Sequence, residues 1–307
     1  MKRRNFLRNA AIGSLAATGL TSGLSTSASE TKTSNEAQFK LKYAPGFGTF
    51  KEHAGNDLID QIKFIHDQGF RAIFDNGLMG KEPVLQEKIT NELARRGMDL
   101  GPFVLYADFS VKSFVTQDPE MKEMLRKKMK EGLEVFKRTG AKTALVVPGR
   151  FTDDLEWDYQ TANVLDNLRM CCDIVEPEGL TLVLEPLNAW TNHPGLFLTK
   201  MSQAHMICKA VNSNSCKIVD DLYHQQISEG NLIPNIDLAW ESIAAFHIGD
   251  NPGRNEPGTG EINYRNVFKH IHGKGYDGVL CCEHGRSIPG KEGELAFIKA
   301  YREADNF

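Results

Sequence analysis

The sequence predicts a single-domain α/β protein folded as a (β/α)8 (TIM) barrel. Eight short β-rich runs alternate with longer amphipathic stretches from Phe39 onward, over about 270 residues, which is the pattern and size of such a barrel. Glycines stand just ahead of the next strand at Gly69, Gly97, Gly140, Gly179 and Gly275, where a left-handed residue ends a helix without steric cost. No glycine-rich phosphate loop follows the first strand, which counts against an open doubly wound sheet.

The expected strands are 40–44, 72–75, 100–106, 143–148, 181–187, Cys216–Asp221, 244–249 and 278–283. Helices are expected between them. The stretch 57–68 carries Leu58, Ile59, Ile62 and Ile65 at helical spacing and stops at Gly69. Pro83–Arg96 opens with proline and ends at Gly97, the usual asymmetry of helix ends. An Asp118 cap and Pro119 open 118–139. Further helices are expected at 159–176, 200–211, 263–274 and 293–302.

Two segments precede the barrel at 39–307. Residues 1–28 read as an export signal: a basic head, a weakly apolar run from Ala10 to Leu24, then small Thr26, Ser27 and Ala28. The Arg3-Arg4-x-Phe6-Leu7-Arg8 core resembles the bacterial twin-arginine signal, which implies export machinery as a partner and a periplasmic destination. Such substrates cross the membrane folded, so a bound metal would be acquired beforehand. The apolar run is too short and too rich in Gly, Ser and Thr to span a bilayer of about 30 Å. Residues 29–38 read as a linker.

The 307-residue chain has a net charge of −4. Without the leader, 32 basic residues face 40 acidic ones, a net charge near −8. That balance gives no electrostatic ground for nucleic-acid binding. Six cysteines lie at 171, 172, 208, 216, 281 and 282. The adjacent pairs fall in apolar runs and no CxxC spacing occurs, so structural thiols are expected, with Cys208–Cys216 the one candidate bridge.

In a barrel of this type, chemistry sits at the C-terminal strand ends. The first four ends offer few metal ligands. The last four give Leu184-Glu185-Pro186, Asp220-Asp221-Leu222, Phe246-His247-Ile248 and Cys282-Glu283-His284. Taken singly, each has another use: Glu185 could pair with an arginine, Asp221 could cap the next helix, and His247 could be a core histidine. Together, charged groups leaving apolar strands at consecutive ends are costly unless paired or metal-bound. Three carboxylates and an imidazole suit one divalent metal ion, Mn²⁺, Mg²⁺ or Co²⁺ foremost and Zn²⁺ as another option.

Several runs carry a family resemblance: Leu184-Glu185-Pro186-Leu187-Asn188, Asn192-His193-Pro194-Gly195, Asp221-Leu222-Tyr223-His224-Gln225, and Pro252-Gly253-Arg254-Asn255-Glu256-Pro257-Gly258-Thr259-Gly260-Glu261-Ile262, then Cys282-Glu283. The chain resembles the hydroxypyruvate isomerases, within the xylose-isomerase-like barrels that also include ketose 3-epimerases. The resemblance implies Glu185, Asp221, His247 and Glu283 as metal ligands, with Glu185 and Glu283 also the catalytic proton carriers. It implies that His224 and Arg254 contact oxygens of a small-molecule substrate, and that the protein forms a homo-oligomer. Hydroxypyruvate isomerases often carry Gln where this chain has His247, whereas the epimerases carry His.

Trp190 and Phe47 are candidates for an apolar wall. His193, Glu256 and Glu261 are candidates for supporting groups, although the two glutamates could simply close a loop. The implied reaction is an aldose–ketose shift through an enediolate. Competing readings are a ketose 3-epimerase or other sugar isomerase, a metal-dependent endonuclease on the same barrel, and a non-catalytic periplasmic carbohydrate-binding barrel.

Overall fold

The computed structural model describes residues 38–307. The expected export signal at 1–28 and all but the last residue of the 29–38 linker lie outside the described residues.

Among the described residues there are nine short strands: β1 (Lys42–Pro45), β2 (Ala72–Ile73), β3 (Asp99–Leu100), β4 (Phe103–Tyr106), β5 (Thr143–Val146), β6 (Thr181–Leu184), β7 (Cys216–Asp221), β8 (Ile243–Ile248) and β9 (Val279–Cys282). Seven form one parallel sheet in the order β1-β9-β8-β7-β6-β5-β4, and β2 pairs with β3. A bridge between Gly46 and Phe74 joins β1 to β2. The ring therefore closes with eight strand positions, β3 and β4 sharing the third.

That third position differs from the unbroken 100–106 strand expected. Gly101 and Pro102 interrupt it. Pro102 has no N–H to give the ladder. A Cβ on Gly101 would lie 2.8 Å from the Phe74 Cβ and 2.9 Å from the Cys281 Sγ, so only glycine fits that close approach. Strands β5 and β6 also stop short of their expected ends, before Pro148 and Pro186, for the same lack of a donor.

The helices are α1 (Lys51–Ala54), α2 (Leu58–Asp67), α3 (Pro83–Arg96), α4 (Pro119–Thr139), α5 (Trp157–Val175), α6 (Met201–Val211), α7 (Leu222–Ser228), α8 (Leu232–Ala239), α9 (Tyr264–Gly273) and α10 (Gly290–Ala304). Asp57 caps α2 by accepting from the Ile59 and Asp60 N–H groups, and Asp118 caps α4 through Glu120 N–H. Such caps are each worth about 1 kcal/mol. All five predicted stop glycines have positive φ. No helix is delimited by the sequence between the sixth and seventh strand positions. Two are there, α7 and α8, separated at Gly230 and Asn231, whose φ angles are 58° and 51°.

Strand alternation sorts the core into two layers. Leu182, Leu184 and Ile218 pack outward among α4, α5 and α6 residues such as Leu133, Leu168 and Ile207. Leu145, Val147, Val183, Val219 and Ala245 pack together inside the barrel. Burying each such aliphatic side chain contributes about 1.5–3 kcal/mol. The inward phase then continues two residues on, to Glu185, Asp221 and His247. All six cysteines are buried free thiols; the Cys208 and Cys216 sulfurs lie 3.9 Å apart, in hydrogen-bond contact.

Candidate active site

Glu185 and Glu283 each follow the last residue of a strand, β6 and β9, while Asp221 ends β7 and His247 lies one residue before the end of β8. Register brings them together: Asp221 pairs with His247 across β7 and β8, and His247 with Cys281 across β8 and β9. One ligand atom from each of the four residues lies within 4.8 Å of the others. Oxygen ligands at about 2.0–2.6 Å from a hard cation stand no more than about 4–5 Å apart, so the spacing and the donor chemistry both fit one ion. Among the described residues no other group of three or more His, Cys, Asp or Glu side chains converges in this way.

The four groups are cross-linked by charge. The His247 Nδ1 lies 2.9 Å from Glu185 Oε1 and 3.1 Å from Glu283 Oε2. The Arg254 Nη2 lies 2.9 Å from the same Glu283 oxygen and 3.4 Å from Asp221 Oδ2. Burial pushes the Glu185 carboxyl up, against the pull of His247. Burial acts on Glu283 in the same sense, but His247, Arg254 and Asn76 overcome it and hold that carboxyl below the usual range. Burial also opposes charge on His247; Glu283 and Glu185 outweigh it and raise the imidazole well above its ordinary value. In the metal-free cluster the two carboxylates therefore favour a positive imidazolium.

Asp221 does two jobs at once. Its Oδ1 accepts from the Tyr223 and His224 N–H groups and caps α7, while Oδ2 faces the cluster. His224 is buried, and burial lowers its pKa to about 4 despite the nearby Asp221. Its Nδ1 accepts from the Asn188 backbone N–H at 3.3 Å and from the Asn188 amide at 2.6 Å. The neutral ring must then carry its proton on Nε2. That buried Nε2 has no hydrogen-bond partner in the protein and stands 3.6 Å from Asp221 Oδ2. It is a donor held ready at the edge of the cluster.

Arg254 rides on a loop built around Asp250. The fully buried Asp250 carboxylate accepts from Gly258 N–H at 2.8 Å, Gly260 N–H at 2.9 Å and Ile262 N–H at 3.0 Å. Glu256, also buried, accepts from the Ser287 N–H and hydroxyl and ties this loop to the one after β9. Arg254 itself sits at φ 48°, a conformation that costs a non-glycine residue energy and needs such support. Asp250→Ala strands three N–H groups, each worth about 1–3 kcal/mol. It is expected to lower the melting temperature by on the order of 5–10 °C, read by calorimetry. A melt unchanged within about 1 °C would mean the loop is held by other means.

With this geometry in hand, similarity to known proteins is informative. Residues 62–301 match the family described as xylose isomerase-like TIM barrel. The chain belongs to that family. A 2-oxo-tetronate isomerase from Cupriavidus necator is 32% identical over 156 residues, which are 51% of this chain and 59% of that protein. The hydroxypyruvate isomerase of Escherichia coli is 31% identical over 184 residues, 60% of this chain and 70% of that protein. The chain spans 59% of the first of these relatives, and both are named as isomerases. A solved structure titled AP endonuclease, family 2, from Brucella melitensis superposes with a TM-score of 0.72 at 22% identity, covering 85% of this chain and 99% of the other; it speaks to the fold alone.

Within this family barrel the remaining sequence candidates fall at different distances from the cluster. His193 lies near Arg254, and its ring packs at a tilt 5.4 Å from that of His224 and 4.7 Å from that of Phe109. Trp190 is 82% exposed. Phe47 packs against a separate buried cluster that includes Phe50, Phe70 and Phe297, with the Lys81 ammonium 5.8 Å from its ring. Glu261 accepts from Gln226 and Asn251 and, like Glu256, closes its loop. Three polar residues went unnoticed as participants: Asn76, Asn188 and Asp250. Asn188 lay inside a quoted motif and Asp250 one residue beyond the expected end of a strand, so position alone could have raised both.

Proposed function

We propose that this protein is a metal-dependent aldose–ketose isomerase acting on a small hydroxy-carbonyl acid of the hydroxypyruvate or tartronate semialdehyde type. The observation that carries this reading is the pair of carboxylates, Glu185 and Glu283, that meet at the His247 Nδ1 in a four-residue cluster at one end of the barrel. The names of the relatives support the substrate class.

Glu185, Asp221, His247 and Glu283 would hold the ion. Bound there, a hard divalent cation supplies Lewis-acid stabilisation of the negative charge that builds on the substrate's two neighbouring oxygens. The chain's own groups do the rest. One glutamate takes the proton from the hydroxyl-bearing carbon, and that C–H electron pair becomes the C=C bond of an enediolate. The hydroxyl proton passes to the former carbonyl oxygen, the other glutamate returns a proton to the former carbonyl carbon, and the oxygen that lost its proton closes the new C=O bond next door. Because the reaction is reversible, each carboxylate is the base in one direction. His224 Nε2–H donates to a substrate oxygen, and Arg254 binds the substrate carboxylate by charge-assisted hydrogen bonds.

Mn²⁺, Mg²⁺ and Co²⁺ suit the donor set best, and Zn²⁺ is also compatible. The twin-arginine-like leader supports a periplasmic location. The test is turnover in D₂O against hydroxypyruvate and a panel of ketoses, after reconstitution with each metal. Isomerisation of hydroxypyruvate with solvent deuterium on carbon is expected. Turnover of a ketose with none of hydroxypyruvate would replace the substrate class with that of an epimerase or sugar isomerase. Ligand binding without any deuterium exchange would make the barrel a binding protein.

A further inference from the structure

The end of β2 contributes a group to the cluster. Asn76 donates from Nδ2 to Glu283 Oε1 at 2.6 Å. A carboxylate only accepts, so the amide must present its nitrogen here. The turn that carries Asn76 is fixed from beneath. Asp75 is buried, accepts from Gly77 N–H at 3.1 Å and pairs with Lys81 at 2.8 Å. Gln86 donates to the Leu78 and Lys81 carbonyls of the same turn.

The two oxygens of Glu283 therefore have different surroundings. Oε2 faces the cluster, at 3.1 Å from His247 Nδ1 and 2.9 Å from Arg254 Nη2. Oε1 instead accepts from Asn76 at 2.6 Å. A carboxylate that is both ligand and proton carrier has a geometric problem: if it binds an ion through both oxygens, neither is left free to take a proton. A donor fixed on one oxygen removes that option and leaves the oxygen's second lone pair open.

We propose that Asn76 is a positioning residue for proton transfer, holding Glu283 Oε1 outside the ligand cluster as the proton-carrying oxygen while Oε2 serves as the ligand atom. This rests on the isomerase reading above and adds to it the atom that moves the proton and the residue that keeps it free. In the proton step, Oε1 forms an O–H bond as the substrate C–H bond breaks. The electron pair goes to the substrate, and the same proton leaves Oε1 in the reverse direction.

The test uses Asn76→Leu, which keeps the size of the side chain and removes its donor at an exposed position. Loss of a group that orients a metal ligand costs about 10–100-fold in activity or metal affinity. The expected split is a kcat lower by about 10–100-fold, with KM and the directly titrated Mn²⁺ affinity within about threefold of wild type. A structural role would instead lower metal affinity and melting temperature along with kcat. Unchanged kcat, or a loss that follows lost Mn²⁺ binding, overturns the proposal. A crystal structure of the Mn²⁺-loaded wild type reads the same geometry without any turnover, so it separates this proposal from the assigned activity. Monodentate Glu283 with Oε1 on Asn76 is expected; a bidentate Glu283, or Asn76 turned away, overturns it.

Discussion

Glu185→Gln and Glu283→Gln are each expected to lower kcat by about 10³-fold or more in a barrel that stays folded. General acid–base groups contribute about 10²–10⁴-fold, and the amide can neither take nor return a proton. In the proposed site the same change also weakens a metal ligand, so Mn²⁺ must be supplied in large excess when turnover is measured. The two variants should part company in metal-free stability. Glu185 has its carboxyl raised by burial, so its folded form favours the proton. What it contributes is present at low pH and is lost as pH rises through the raised value. Removing it should leave the alkaline melting temperature equal to or above wild type. Glu283 is held low by His247, Arg254 and Asn76. Its contribution is present above the unfolded value and is lost as pH falls through the lowered one, so Glu283→Gln should melt below wild type at neutral pH. Full turnover in both variants would end the proton-carrier assignment. Equal melting shifts of the same sign would end the electrostatic account.

The barrel was legible because its signals are local. Period-two strands, proline at helix starts and glycine at helix ends are set within a few residues of one another, and each survives in the fold. The convergence of Glu185, Asp221, His247 and Glu283 was legible for a related reason: a residue's place at a strand end fixes which end of the barrel it joins. Other features needed the third dimension. The break at Gly101 follows from the approach of Phe74 and Cys281, neither of them a sequence neighbour. Asn76 reaches Glu283 across 207 positions, and a strand end that offers an amide instead of a carboxylate does not stand out in a search for ligands. Asp221 shows that two readings of one residue need not compete, since one oxygen caps α7 while the other faces the cluster. Asp220, beside it, points the opposite way into the helix layer. Burial pushes its carboxyl well above the usual range, and neither oxygen has a hydrogen-bond partner in the protein. The adjacent pair Asp220-Asp221 thus looks symmetric in sequence and is opposite in chemistry.

Chelation is expected to abolish turnover and to lower the melting temperature, and the size of that shift should depend on pH. An ion that binds only the folded protein stabilises it by about 2.7 kcal/mol at a hundredfold excess over its dissociation constant. For a barrel of this size that is on the order of 5–10 °C. Without the ion, the negative charge of the cluster is balanced by the His247 imidazolium and the Arg254 guanidinium. His247 has its pKa raised by Glu283 and Glu185, and Glu185 has its own raised by burial. Metal ligands must be deprotonated, so binding expels what these groups hold. Affinity for Mn²⁺ should therefore fall as pH falls, by about tenfold per unit for each proton displaced, and the thermal shift should shrink with it. Isothermal titration from about pH 6 to about pH 8 measures the slope, and a flat line would mean that His247 is already neutral. His247→Gln isolates the source. The amide oxygen can still serve as a ligand but carries no titrating proton, so the pH slope should become shallower while binding at low pH improves relative to wild type. If the slope persists unchanged in that variant, the competing proton belongs to Glu185 alone, and the imidazolium assigned to the metal-free cluster is wrong.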